Sequence, residues 1–300
     1  MNLSLDQSYA VCESIARREA KNFYYAFRVL PKPKRRAICA VYAFMRHADD
    51  LADDERLAKD ERVRATHEWL NEWHRAAAGE ATDNPIFIAL RDTQRRFQIS
   101  NELLDQLVQG TLMDLTGTAQ VTTFQTFEDL YQYCYLVASV VGLVCIRIFG
   151  YSDPRAEKLA EETGIAFQLT NILRDLREDA ERGRIYLPLD DLESHTVTID
   201  DLTSIHGSGE MTLDERALME MEVERARGYY TAADALLPLI DADSRAALWV
   251  LVRIYRRLLE RIVQADYEVF SERIRVPTLE KLWILLRGLW MAFRFRMGRS

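Results

Sequence analysis

The chain has 300 residues, of which 48% are hydrophobic and 29% charged, a balance that excludes disorder and fibrous classes and suits a soluble chain with a large core. Twelve glycines and seven prolines, about 6% of the chain, are too few for a β-sandwich or a doubly wound fold, so an all-α chain is expected. A net charge of −8 argues against nucleic acid as the partner.

In chain order, three- and four-residue apolar spacing predicts helices over 8–28, 34–54, 57–79, 84–98, 101–115, 126–150, 153–181, 213–238, 243–271 and 278–296. Pro31 and Pro33, Asn84-Pro85, Ser152-Asp153-Pro154 and Asp241-Ala242-Asp243-Ser244 punctuate them. From Gly183 to Met211 the helical period fails, and the stretch reads as a long connection of the kind that often serves as a lid. The longest nearly apolar run, Leu136 to Ile146, has eleven residues, short of the roughly twenty needed to span a bilayer. No membrane span and no signal peptide are therefore expected. Cys12, Cys39, Cys134 and Cys145 stand far apart, as expected for reduced thiols in a cytoplasmic protein. With no internal repeat or linker, one all-α domain accounts for residues 1–300, with a core over about 8–290 and a basic tail over 291–300.

Phosphate-loop, dinucleotide, nucleophile-elbow and zinc-helix motifs are missing, and the five histidines are scattered. Acids remain. Asp49, Asp50, Asp53 and Asp54 crowd into six positions, and Asp175 and Asp179 repeat the four-residue spacing. Chance alone places about seven acidic pairs four apart in a chain with 47 acids, most of them on solvated helix faces, so the surroundings must decide. Tyr42, Arg46, Asp49 and Asp53 form one helical stripe; Gly164, Gln168, Asn171, Asp175 and Asp179 form another. The second is flanked by Ile165, Leu169, Ile172 and Leu173, so its polar groups read as the wall of a wet cavity. Carboxylates repelling at this spacing would welcome a divalent cation, and oxygen donors favour Mg²⁺ shared with substrate phosphates. That chemistry suits departure of a diphosphate, with Lys21, Arg46, Arg174, Arg184 and Arg273 as candidate clamps.

The segments YAFMRHADDLADD (42–54) and FQLTNILRDLREDAERGRIYLP (167–188) resemble the two signatures of the squalene/phytoene synthase family. The likeness continues in AKNFYYAFRVLP (20–31), GTLMDL (110–115), YCYLVASVVGL (133–143) and IYRRLLERIVQADYEVFSERIRVP (254–277). The resemblance implies a single isoprenoid-synthase-type helical bundle around a central cavity. It implies head-to-head joining of two prenyl diphosphates through a cyclopropylcarbinyl diphosphate, with two or three Mg²⁺ per site. By position, Asp49, Asp53, Asp175 and Asp179, with Asn171 and Gln168 beside them, would hold metal and diphosphate. Lys21, Arg46, Arg184, Tyr255 and Arg273 would contact diphosphate oxygens. Phe23, Tyr42, Tyr133, Val137, Ala138, Val141 and Gly164 would line the isoprenoid channel. Tyr133, Val137 and Val141 recur every four residues, which ordinary core packing explains as well.

Two routes stay open. VASVVGLVCIRIFG (137–150), with Ser139 and Val140 where phytoene and dehydrosqualene members more often carry Gly-Thr, and LREDAERGRIYLP (176–188) look more like bacterial squalene or presqualene diphosphate synthases, which favours farnesyl diphosphate and presqualene diphosphate or squalene. The alternative is geranylgeranyl diphosphate and phytoene, or farnesyl diphosphate and dehydrosqualene. NADPH would be needed for squalene, and the sequence leaves its use undecided. Outside this family, a terpene cyclase or chain-elongating prenyltransferase would use the same aspartates, and a non-catalytic helical module would treat them as surface charge. Finally, residues 273–300 hold seven Lys/Arg, one acid (Glu280), and interleaved Trp283, Trp290, Phe293 and Phe295. Such a stretch suits peripheral contact with an anionic membrane, while a docked last helix with a loose basic tail accounts for it equally.

Overall fold

Ser4 accepts a hydrogen bond from the Gln7 amide and opens helix α1 (Leu5–Glu19) in a computed structural model that describes residues 3–116, 122–204, 211–270 and 273–297. Side chains of residues 21, 22, 114, 116, 203, 204 and 295–297 lie outside that description, so the expectation for Lys21 is not placed. The helix predicted over 8–28 is two helices. Ala20 (ψ −3°) ends α1 and starts α2 (Lys21–Phe27).

Pro33 in the first turn starts α3 (Lys32–Ala52), whose alanine-rich covered face lets α1 and α5 pack close. Gly79, at φ 107°, stops α4 (Lys59–Ala78) in the left-handed region that favours glycine. Asn84 caps α5 (Pro85–Phe97), and α6 (Asn101–Thr116) follows. Next, α7 (Phe127–Cys134), a π-helical turn (Tyr135–Ser139) and α8 (Val140–Phe149) form one continuous rod. That rod, Phe127–Phe149, is long and apolar enough by length and composition to cross a membrane, which the eleven-residue count did not anticipate. Here it packs between α6 and α9 (Arg155–Glu181), and its apolar character serves the core and a cavity.

The stretch read as a long connection contains β2 (Arg184–Ile185), α10 (Leu189–Ser194) and α11 (Ile199–Ser204); residues 205–210 lie outside the described part. β2 pairs in parallel with β1 (Thr122–Thr123), tying the loop after α9 to the loop after α6. A Thr212/Glu215 capping box opens α12 (Leu213–Leu236), which packs along α9. Helix α13 (Ala242–Gln264) ends earlier than predicted because Asp266 (φ 56°) and Tyr267 (φ 62°) turn the backbone into the left-handed region. Last, α14 (Thr278–Met297) lies on α13. Lys34 joins distant parts by donating to the Phe149 carbonyl (2.7 Å), the Asp243 carboxylate (2.7 Å) and Ser244 Oγ (3.0 Å). The described residues form an all-α bundle carrying one two-stranded, two-residue-long ladder.

Candidate active site

Helices α2, α3, α8, α9 and α13 surround a cavity of about 980 Å³. Its apolar wall comes from Phe23 and Phe27 of α2, Ile38, Val41 and Tyr42 of α3, and Val137, Ala138, Val141, Cys145 and Ile146 of the π turn and α8. Phe167 of α9 and Leu248, Leu251 and Tyr255 of α13 complete it. Two glycines set the wall's position by allowing α9 and the rod carrying α8 to touch. A Cβ on Gly164 would lie 2.6 Å from the Ser139 Cα, and one on Gly142 would lie 3.0 Å from the Ala160 carbonyl oxygen. Phe167 and Tyr255 stack at 4.4 Å between centroids, and Phe23 stands 5.9 Å from Tyr255.

The polar lining is unlike the chain as a whole. Arg17, Arg28, Arg174, Arg273, Arg275 and Lys281 face two acids, Glu19 and Asp49, in a protein whose net charge is −8. Such a cationic recess attracts anions. Asp49 accepts a hydrogen bond from Thr111 Oγ1 (2.8 Å), while burial raises its carboxyl to about 6; the Thr111 bond and Arg46 oppose the rise and Asp53 adds to it. Burial likewise pushes the Tyr42 phenol up to about 12, so it stays protonated. On α9, Asn171 Nδ2 donates to Gln168 Oε1 (3.3 Å), whereas Asn171 Oδ1 is buried with no hydrogen-bond partner. One turn on, the Arg174 guanidinium grips Asp175 by two nitrogens, the Nε–Oδ1 contact being 2.7 Å. Arg273 reaches both Asp175 (2.9 Å) and Glu178 (2.9 Å).

Of the residues singled out in the sequence, Phe23, Tyr42, Asp49, Val137, Ala138, Val141, Gly164, Gln168, Asn171, Tyr255 and Arg273 line this cavity. Others lie beside it. Arg46 pairs with Asp50 (2.5 Å), Asp53 is exposed at the end of α3, and Asp175 stands behind Arg174 and Arg273. Asp179 is half-buried a turn farther along α9, and Arg184 is held in the β1–β2 ladder. Tyr133 departs from expectation. It packs into an aromatic cluster with Phe124 and Tyr186 and hydrogen-bonds the Tyr186 hydroxyl (3.1 Å), because the π turn rotates it out of register with Val137 and Val141. Thr111 was missed as an individual residue, although the GTLMDL segment that carries it had been noted. Arg17, Arg28, Arg275 and Lys281 were not selected either, since lone basic residues carry no periodic signal.

Among the described residues no three His, Cys, Asp or Glu side chains form a ready metal cage. The donors nonetheless fit Mg²⁺: all are oxygens, Asn171 Oδ1 is orphaned, and the Asp49 carboxylate is destabilised by burial in a way a cation would reverse. They suit an ion that arrives with substrate phosphates.

Comparison with known proteins agrees with this architecture. The squalene/phytoene synthase family profile matches residues 16–280. Phytoene synthase of Arthrospira platensis is 35% identical over 293 residues, covering 93% of this chain and 91% of that protein. 15-cis-phytoene synthase of Synechococcus elongatus is 36% identical with the same coverage of both. The crystal structure of a dehydrosqualene synthase in complex with ligand superposes with a TM-score of 0.83 at 30% identity, covering 95% of this chain and 96% of the other. A cavity of this lining within this bundle, matched along nearly its whole length, makes the chain a member of the squalene/phytoene synthase family.

Proposed function

We propose that the protein condenses two prenyl diphosphates head to head, and that its substrate is geranylgeranyl diphosphate and its product phytoene. The observation that carries the reading is the pairing, in one cavity, of a long apolar wall with a cationic recess holding Asp49 and the orphaned Asn171 Oδ1. A volume of about 980 Å³ lies at the upper end of the range of small-molecule sites, roughly 300–1,000 Å³, which suits two long chains better than one. The Ser139-Val140 pair, in one of the two runs that favoured the farnesyl route, stands outside the cavity lining. Ser139 is buried and donates to the Glu161 carbonyl (2.7 Å), and Val140 is buried in the core, so neither reads the substrate. Curated relatives at 35–36% identity carry the phytoene synthase name, which supports the C20 alternative.

Asp49, Asn171, Asp175 and Asp179 would hold Mg²⁺, which when bound supplies neutralisation of the departing diphosphate. The residues of the chain do the rest. Arg174 and Arg273, which neutralise Asp175 in the free protein, exchange that carboxylate for phosphate oxygens as substrate enters. Arg17, Arg28, Arg275 and Lys281 hold the remaining diphosphate charge. The apolar wall excludes water from the allylic cation left by ionisation. Phe23, Tyr42, Phe167 and Tyr255 in the cavity lining supply aromatic rings for that cation, a ring face set against it being worth about 0.5–2 kcal/mol. Phytoene forms by loss of a proton and needs no reductant, whereas squalene needs hydride from NADPH.

Incubating the purified protein with Mg²⁺ and either farnesyl or geranylgeranyl diphosphate, with and without NADPH, tests both levels of the proposal. Phytoene by mass from geranylgeranyl diphosphate, unchanged by NADPH, is the expected result. Products only from farnesyl diphosphate would restore the C15 route, and consumption of neither would favour a non-catalytic helical module.

A further inference from the structure

Helix α14 is apolar on two opposite faces. Ile284 and Leu285 are buried against the bundle, and the Cβ-free Gly288 sits over Val250 of α13. On the other side Leu279, Trp283, Leu286, Trp290 and Phe293 are each between 57% and 80% exposed. At 100° per residue these five fall within an arc of about 80°, a continuous stripe along the helix. A helix of a globular domain ordinarily buries its one apolar stripe; this one presents a second, large and aromatic, to the outside.

The charges beside the stripe say what covers it. The Arg287 guanidinium lies 5.3 Å from the Trp249 ring and 5.7 Å from Trp283, and that of Arg294 lies 4.9 Å from Trp290. Glu280, the one acid from residue 273 to the end of the chain, is taken up by Arg257 (2.8 Å) and Arg261 (2.7 Å) of α13. The face is therefore cationic and aromatic in a protein that is acidic overall. A second copy is a poor occupant, since it would bring the same arginines to the interface and no free acid to pair with them, Glu280 being taken up by α13. Anionic headgroups complement the arginines, and Trp, Phe and Leu side chains suit the headgroup–acyl boundary.

We infer that the outer face of α14 seats the protein on an anionic lipid bilayer, with Trp283, Leu286, Trp290 and Phe293 entering the interface and Arg287 and Arg294 at headgroup level. This docking stands without the reaction proposed above; its consequence for that reaction rests on it. Leu282, 40% exposed on α14, also lines the cavity together with Lys281 and Val276. A bilayer held by α14 thus lies beside a residue, Leu282, that is both exposed and part of the cavity lining, and there a prenyl chain or a C40 hydrocarbon would have an apolar route between lipid and cavity.

The test is flotation of the full chain with phosphatidylcholine vesicles containing or lacking phosphatidylglycerol, with tryptophan quenching by brominated lipid. The intact protein should float with anionic vesicles and be quenched. W283S/W290S should partition about ten-fold less or weaker still, and R287Q/R294Q should lose the preference for phosphatidylglycerol. Circular dichroism melts should match those of the parent, because both pairs alter exposed side chains. Equal partitioning of W283S/W290S and parent, or no quenching of the parent, overturns the inference. So does a dimer in sedimentation that W283S/W290S turns into monomer while the parent ignores vesicles. The parent quenching result is decisive even if a variant fails to fold.

Discussion

Asp49 stands where three influences meet: a hydroxyl that favours its charge, a buried setting that opposes it, and a second carboxylate, Asp53, one turn away. Burial wins and raises the carboxyl from 3.8 to about 6. An acid raised in this way binds its proton more tightly folded than unfolded. Its charge therefore destabilises the metal-free fold, by nothing below about pH 4 and fully above about pH 6. Asp49→Asn keeps an acceptor for Thr111 and removes the charge. In chelator at pH 8 it should stabilise the protein by about 1–2 kcal/mol, allowing for water in the cavity, and at pH 4 the gain should vanish. Urea midpoints at the two pH values give this comparison, and a variant less stable than its parent at pH 8 would contradict it. Turnover should meanwhile fall by about 100-fold or more, since the lost charge is one the diphosphate-bound state needs. Asp175→Asn acts differently. It leaves Arg174 and Arg273 without their shared carboxylate, so here stability should drop by about 2–3 kcal/mol along with activity, read from the same denaturation series.

At the scale of elements, the stripe Gly164, Gln168, Asn171 was legible because α9 is regular over 27 residues, and period alone puts those positions on one face. Its continuation to Asp175 was legible as direction but not as environment: the arginine that covers Asp175 comes from residue 273, and no local pattern announces a partner so distant. Thr111, 62 residues from Asp49, was hidden for the same reason. The π turn at Tyr135–Ser139 left no trace in the apolar period, so Tyr133 was assigned to the cavity and Ser139 to substrate choice. α10 and α11 have six residues each, too short for a period to show, and Tyr267 and Phe270 prolonged the apparent period of α13 past its true end. The contact beneath the π turn gives a sharp test. In Gly164→Ala the new Cβ meets Ser139 Cα, Ser139 N and Ala138 C at 2.6–2.9 Å, all backbone, so no rotamer relieves it. The variant should lose about 1–3 kcal/mol and, by shifting Val137 and Ala138 in the cavity wall, lose activity too. Gly228→Ala in α12, where nothing lies within 4 Å, should instead gain about 0.5–1 kcal/mol with turnover unchanged. Thermal melts of the two variants beside the parent decide it; equal effects would mean that close approach is not what Gly164 provides.

At the scale of the whole molecule, the two aspartate-bearing helices belong to different packing groups. α3 packs on α1, α4, α5 and α6, whereas α9 packs on α12, α13 and the π turn, and both lean on α8. The cavity opens between them, so a ligand that touches Asp49 on one side and Asn171 and Arg174 on the other ties the two groups together. The bound form should therefore be more resistant to unfolding as a unit. A non-hydrolysable thiodiphosphate analogue of geranylgeranyl diphosphate at one hundred times its Kd should add about 2.7 kcal/mol. For a chain of 300 residues that is a rise in Tm of roughly 4–5 °C. Chelation should remove part of the rise, because without Mg²⁺ the six lining cations hold the diphosphate against repulsion from Asp49. The farnesyl analogue should give a smaller shift at equal concentration, having less apolar surface to bury against the wall from Phe23 to Leu251. Inorganic diphosphate with Mg²⁺, lacking a tail, should give the least. A scanning fluorimetry series across the three ligands, with and without chelator, measures every step of this ordering. If inorganic diphosphate matched the prenyl analogues, the apolar wall would contribute nothing to binding and the cavity would not be the substrate site.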